Sequence, residues 1–114
     1  MTQSKTNCCL VYVTVKDCEE AKQIARTIIT EKLAACANII PTMTSVYEWQ
    51  GTIETTAESI LILKTLTTQS DQLMKRVSEL HPYECPSILC LPVVGGHSDF
   101  LAWIEEGSRG IKDM

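Results

Sequence analysis

No stretch of this chain is apolar for long enough to cross a bilayer. The apolar run Cys8–Val15 is eight residues long, well short of a membrane span. The polar residues 1–7 ahead of it show neither a basic region nor a small-residue cleavage site, so the expected setting is cytoplasmic, with no membrane partner. A basic run is missing too. Lys22, Arg26, Lys32, Lys64, Lys75 and Arg76 are scattered and the net charge is −4, whereas a nucleic-acid binder concentrates its positive charge in a patch or stripe. No nucleic-acid partner is expected. G-x-S-x-G, H-E-x-x-H and a glycine-rich phosphate loop are all absent, which removes the common sequence signs of catalysis and of an organic cofactor. Gly95-Gly96-His97-Ser98 could offer backbone amides to an anion, but it reads first as a plain turn.

There is also no C-x-x-C, although the chain holds six cysteines. In a reducing compartment disulfides rarely persist. Cys8 and Cys9 are adjacent, so on a strand they face opposite ways and cannot share a ligand. Cys8, Cys9, Cys36 and Cys90 therefore read as small core hydrophobes.

What is present is enough for one domain over residues 1–114, with a polar tail over 1–7 and a C-terminal tail over 108–114. With 45% apolar residues the chain can bury a core. Cys8–Val15 is apolar on both faces and reads as a central strand. Asp17 with Glu20 three residues on resembles a capping box, and Ala21, Ile24, Ala25 and Ile28 make one helical stripe ending near Leu33 to Ala35. Residues 36–40 restart as a strand, Pro41 interrupts it and marks an edge position or a bulge, and 45–49 continue extended. Gln50-Gly51 predicts a hairpin turn into a long return strand from Thr52 to Thr65. A second helix runs from Thr67 to Leu80, with Thr68 or Ser70 near its cap. Residues 87–91 form the fourth strand, closed by Pro92, and Ser98 can cap a short last helix ending near Gly107.

The order β-α-β-β-α-β, plus a short C-terminal helix, is the ferredoxin-like split βαβ arrangement, an α+β fold. Right-handed crossovers put strands one and three in the middle and strands two and four at the edges. The fourth strand is too apolar for a free edge, and the hairpin strands are too long to stay unpaired. Subunits covering one another resolve this, so an oligomer is expected.

The most informative segment is His81-Pro82-Tyr83-Glu84-Cys85-Pro86. Each proline fixes its own φ and pushes the residue before it out of the helical region. The result is a stiff loop presenting an imidazole, a phenol, a carboxylate and a thiol. Cys36, His81 and Cys85 are the donors that copper or zinc would choose. The alternative is that the loop is a rigid connection and Cys36 packs at a helix-to-strand junction. Cys/His nucleophilic catalysis would need thiol and base in contact, and four extended residues put His81 and Cys85 about 13 Å apart.

Several blocks resemble the CutA family of divalent-cation tolerance proteins. They are Glu31-Lys32-Leu33-Ala34-Ala35-Cys36-Ala37-Asn38, Tyr47-Glu48-Trp49-Gln50-Gly51 with Ile53-Glu54, Glu58 with Leu63-Lys64-Thr65, the proline-fenced loop with Leu91-Pro92-Val93, and Phe100-Leu101-Ala102-Trp103. They stand in the family's order across residues 8 to 104. The resemblance implies a homotrimer similar in architecture to PII-type signalling proteins, with a link to copper and other divalent cations. It also implies a pocket between subunits for residues such as Glu58, Lys64, Tyr47, Trp49, Tyr83 and Trp103. Two departures stand out. Ser87 occupies a position where the family usually has Glu, and Tyr12-Val13-Thr14-Val15 occupies a region where some members have cysteine.

Glu58 and Lys64 are six apart on one strand, so they share a face but lie about 20 Å from one another. The cleft that they, Trp49 and Tyr83 would line is expected to take an anionic or aromatic small molecule. Two functions follow. One is a metal-binding protein of divalent-cation homeostasis. The other is a PII-like regulatory trimer binding a small molecule or a partner protein.

Overall fold

Why the chain turns where it does is visible at the end of its first helix. In the structure, a computed structural model that describes residues 6–83 and 85–109, α1 spans Cys18–Thr30. Asp17 caps it, its carboxylate accepting the Glu20 N–H at 2.9 Å. Glu20 reaches back to the N–H of Lys16 at 3.2 Å, one residue earlier than in the standard box. The helix stops before the 33–35 expected from the sequence because Lys32 enters the left-handed region at φ 60. The Lys32 N–H then bonds Ile29 O and the Leu33 N–H bonds Ile28 O, the paired bonds of a Schellman motif. Leu33 is buried against the helix it ends.

The remaining elements are β1 (Cys8–Val15), β2 (Cys36–Trp49), β3 (Thr52–Leu66), a 3₁₀ turn (Thr67–Gln69), α2 (Ser70–Leu80), β4 (Ile88–Pro92) and α3 (Ser98–Gly107). The sheet order is β2-β3-β1-β4, with every pairing antiparallel. This is the ferredoxin-like arrangement, with β1 and β3 central. One face of the central strands carries Val11, Val13, Leu61 and Leu63. They are buried under Ala21, Ile24 and Ile28 of α1 and under Leu73 and Val77 of α2. Each large side chain so buried contributes about 1.5–3 kcal/mol.

Pro41 sits at a bulge on an edge strand, as its place in the pattern marked: the β2–β3 register shifts between Ile40 and Met43. Two boundaries differ from the sequence reading. Thr67–Gln69 is a 3₁₀ turn, and Ser70 donates to Thr67 O at 2.8 Å. Ser98 is the first residue of α3 instead of its cap, and the capping position, His97, makes no side-chain bond. The hairpin turn is as expected. Gln50 (φ 51) and Gly51 (φ 83) both have positive φ, as a two-residue type I′ turn requires.

The cysteines divide. Cys8 and Cys9 are buried as expected, but Cys36 is half-buried and Cys90 exposed. Cys36 opens one edge strand and Cys90 sits on the other, so neither has a neighbour on its outer side. Cys9 faces Pro92 across the β1–β4 ladder, with Cys90 diagonal to it. Burial, and next the adjoining Cys90 thiol, push the Cys9 pKa up to about 12.

Lys32→Gly is expected to raise stability by about 0.5–1 kcal/mol, because glycine adopts the left-handed conformation without the Cβ penalty. An unchanged denaturant midpoint would contradict the strain at Lys32. The Cys9 thiol also predicts alkaline loss of stability. The unfolded chain loses this proton near an ordinary thiol pKa and the folded chain keeps it to about 12. Between those values the folded state binds more protons, so stability falls as pH rises, by up to about 1.4 kcal/mol per pH unit. Cys9→Ala should flatten this alkaline slope in denaturation curves taken above pH 9.

Candidate functional site

The loop after α2 is tied to the sheet at both ends through one residue. His81 ends α2 with its N–H on Val77 O at 2.8 Å and turns extended at ψ 131, as a residue before proline must. Its ring is buried, with Nε2 2.8 Å from Thr14 O. A carbonyl only accepts, so Nε2 carries the proton. Nδ1 accepts the Tyr83 N–H at 3.2 Å. The imidazole is thus neutral with both nitrogens engaged, and its ring lies 4.6 Å from that of Tyr83. At the far end of the loop Ser87 O accepts the Thr14 N–H at 3.1 Å. Glu84, read from the sequence as one of the loop's groups, lies outside the described residues.

Facing this loop is the outer part of the β2–β3 hairpin. The β1 ladder ends at Val15 opposite Ser59, while β2 and β3 stay paired to Trp49 and Thr52. The overhang is a two-stranded ribbon. Directly paired residues share a face, so Trp49 with Thr52, Tyr47 with Glu54, Ser45 with Thr56 and Met43 with Glu58 form one surface. Between that surface and the loop is a cleft of about 1030 Å³. The ribbon lends it Tyr47, Trp49, Glu54 and Glu58, β1 lends Thr14, and the loop lends Tyr83, Cys85 and Ser87. No lysine or arginine is among the described residues that line it. The negative field acts on Tyr83. Burial first, then Glu58, Glu20, Tyr47 and Asp17, raise its phenol above the ordinary value.

The expected cleft residues therefore divide. Glu58, Tyr47, Trp49 and Tyr83 come together, whereas Lys64 and Trp103 do not line this cleft. Lys64 pairs with Leu10 and Cys36 at the other end of β3. Its ammonium lies 5.2 Å from the Phe100 ring centre, and Phe100 stacks on Trp103 at 5.6 Å. A strand six residues long in this interval leaves about 20 Å between Glu58 and Lys64. Within one chain, Lys64 therefore gives this cleft no positive charge.

The candidate metal donors are also separated within one chain. Cys36 stands on the rung of Leu10, two strands and four residues from Thr14, where His81 is bound. Its thiol points to Asn38 Oδ1 at 3.9 Å. Cys85 is exposed at the cleft. Among the described residues there is no group of three His, Cys, Asp or Glu side chains able to hold an ion.

Glu54 was missed in the sequence, as were Thr14 and Ser87 as lining residues. Glu54 had a signal: it repeats with Glu58 at an even spacing on one strand and sits opposite Tyr47. Thr14 had none, since its part is played by main-chain groups.

Residues 9–107 match the family model described as "CutA1 divalent ion tolerance protein". The chain is 44% identical over 100 residues to the chloroplastic protein CutA 1 of Oryza sativa, covering 88% of this chain and 56% of that one. It is 41% identical over 99 residues to the divalent-cation tolerance protein CutA of Thermus thermophilus, covering 87% and 96%. The chain thus spans little over half the length of the chloroplastic relatives. The crystal structure of CutA from Xylella fastidiosa superposes with a TM-score of 0.87 at 35% identity, covering 90% of this chain and 99% of that one.

The field in the cleft is testable directly. Glu58→Gln removes the largest charge acting on Tyr83 and is expected to lower its phenol pKa. This can be read from the Tyr83 ring-carbon shift against pH, assigned with Tyr83→Phe. A titration that does not move would contradict the placement of Glu58 beside Tyr83.

Proposed function

This chain belongs to the CutA1 divalent ion tolerance protein family, and on that premise we propose that it is a non-enzymatic homotrimer that binds divalent cations, copper among them, directly. The observation that carries the metal reading is the cleft. An exposed thiol, Cys85, and the Glu54 and Glu58 carboxylates open onto it with no cationic side chain among the described lining residues. Thiolate and carboxylate together suit a borderline or soft divalent ion such as copper. Donors of one chain do not form a group of three among the described residues, so a closed site would draw Cys85, Cys36 and His81 from more than one subunit. His81 would have to release the Tyr83 N–H before Nδ1 could bind a metal.

The exposed edges support assembly. Val46, Trp49 and Ile53 on the ribbon are each more than 60% exposed, as is Leu89 on β4. An isolated two-stranded ribbon is marginal in water, and apolar edge strands are normally covered. One subunit's ribbon laid on the next subunit's β4 would cover both edges. A head-to-tail contact of that kind makes a trimeric ring when its rotation closes after three subunits. The second reading, a PII-like regulatory trimer with no direct metal role, is favoured by the size of the cleft, which is that of a small-molecule site.

Light scattering should return a trimer at micromolar concentration. In calorimetric titrations Cys85→Ser, Cys36→Ser and His81→Ala, made singly and checked for oligomeric state, should weaken copper binding by about tenfold or more while leaving Mg²⁺ behaviour unchanged. Unaltered copper affinity in all three trimeric variants would overturn the donor assignment. A monomer would overturn the assembly.

A further inference from the structure

We propose that the cleft between the β2–β3 ribbon and the 81–87 loop binds a linear organic dication, an aliphatic di- or polyamine, in addition to any metal role of Cys85. The charge of the walls comes first. Glu54 and Glu58 line the cleft, with no lysine or arginine among the described lining residues. Glu58, Glu20 and Asp17 all act as negative charges on Tyr83 at its edge. A carboxylate or phosphate ligand would be repelled, and a cation is attracted.

The spacing selects among cations. Glu54 and Glu58 share one face of β3, four residues apart, which places their backbone positions about 13 Å from one another. A single metal ion cannot satisfy both carboxylates at that separation. An extended polyamine can, with an ammonium group on each and its methylene chain between them.

Ser45 and Thr56 stand between the two carboxylates, and the aromatic residues beside and beyond Glu54 suit the ligand's outer ammonium end. Tyr47 lies directly across from Glu54, Trp49 is next on the same face, and Tyr83 stands on the opposite wall. Aromatic faces attract an alkylammonium through their quadrupole and cover its methylene groups. A fully hydrated Mg²⁺ gains little from such walls, because it dehydrates reluctantly. The volume of about 1030 Å³ is at the upper end of ordinary ligand pockets and accommodates a flexible chain with its waters.

The test is calorimetric titration of the full chain with spermidine at low ionic strength, after chelation of metals. Saturable binding is expected. Glu54→Gln and Glu58→Gln should each weaken it by about fivefold, and Trp49→Leu should weaken it as well. Butylamine, which carries one charge, should bind more weakly than spermidine, and equimolar Mg²⁺ should not displace spermidine. Absence of saturable binding would overturn the proposal and would fit a cleft filled by a neighbouring copy of the chain. Equal affinity for spermidine in both glutamine variants would overturn it too, as would displacement by equimolar Mg²⁺, the behaviour of a generic acidic surface. Should Glu58→Gln disturb assembly, Glu54→Gln, farther out on the ribbon, gives the same reading. Cys36→Ser, at the far end of β2 from the cleft, separates this site from the metal reading, because it should lower copper affinity and leave spermidine binding unchanged.

Discussion

Both main-chain groups of Thr14 are given to the loop that walls the cleft. Its N–H donates to Ser87 O and its C=O accepts from His81 Nε2. In an ordinary sheet these groups would bond a neighbouring strand, but β4 pairs with β1 only from Cys9 to Val13. The loop completes the ladder at the point where β4 has not yet begun. Because the His81 ring is buried, losing its bond would leave a carbonyl unsatisfied, a cost of about 1–3 kcal/mol. Pro82 and Pro86 stiffen the span between the two anchors, so Tyr83 and Cys85 are presented from a fixed frame.

The other wall exists because the strands differ in length. β3 has 15 residues and β1 has eight. The excess of β3 can pair only with β2, and the I′ turn at Gln50-Gly51 holds that pair in register out to Trp49 and Thr52. The ribbon therefore projects past the core with side chains on both faces and only one strand partner for each edge. One face turns toward the anchored loop and makes the cleft. The other exposes Ile53, the kind of surface another subunit would cover. Ligand cleft and assembly surface are thus two consequences of one mismatch in strand length.

Element types, their order and the strand positions were legible in the sequence, because period-2 and period-3.6 patterns are imposed by burial on one face. Helix ends were less so. Lys32 in the left-handed region ends α1 early, and no residue type announces a lysine there. The bulge at Pro41 was legible, because a proline inside a strand pattern marks an edge position or a bulge. The half-exposed Cys36 and exposed Cys90 followed from the same edge positions, which composition alone does not weigh. For the site, Tyr47, Trp49, Glu58 and Tyr83 could be grouped from strand parity and the loop. The tautomer and partners of His81 could not, because they depend on a carbonyl of a distant strand.

The separation of Glu58 from Lys64 shows how a strand sorts charge. Even spacing puts both on one face, and distance along the strand then assigns them to different neighbours. Lys64 lies where α3 covers the sheet, and its charge rests against the Phe100 ring beside Trp103. Glu58 and Glu54 lie where the ribbon leaves the core, and they face phenols and an indole. Over about 20 Å in a screened solution the two ends hardly interact. The chain, with its modest net charge of −4, can therefore maintain an acidic, aromatic cleft while Lys64, on the same face of β3, is committed elsewhere. The chemistry of the cleft is set by that local sorting and not by the charge of the molecule as a whole.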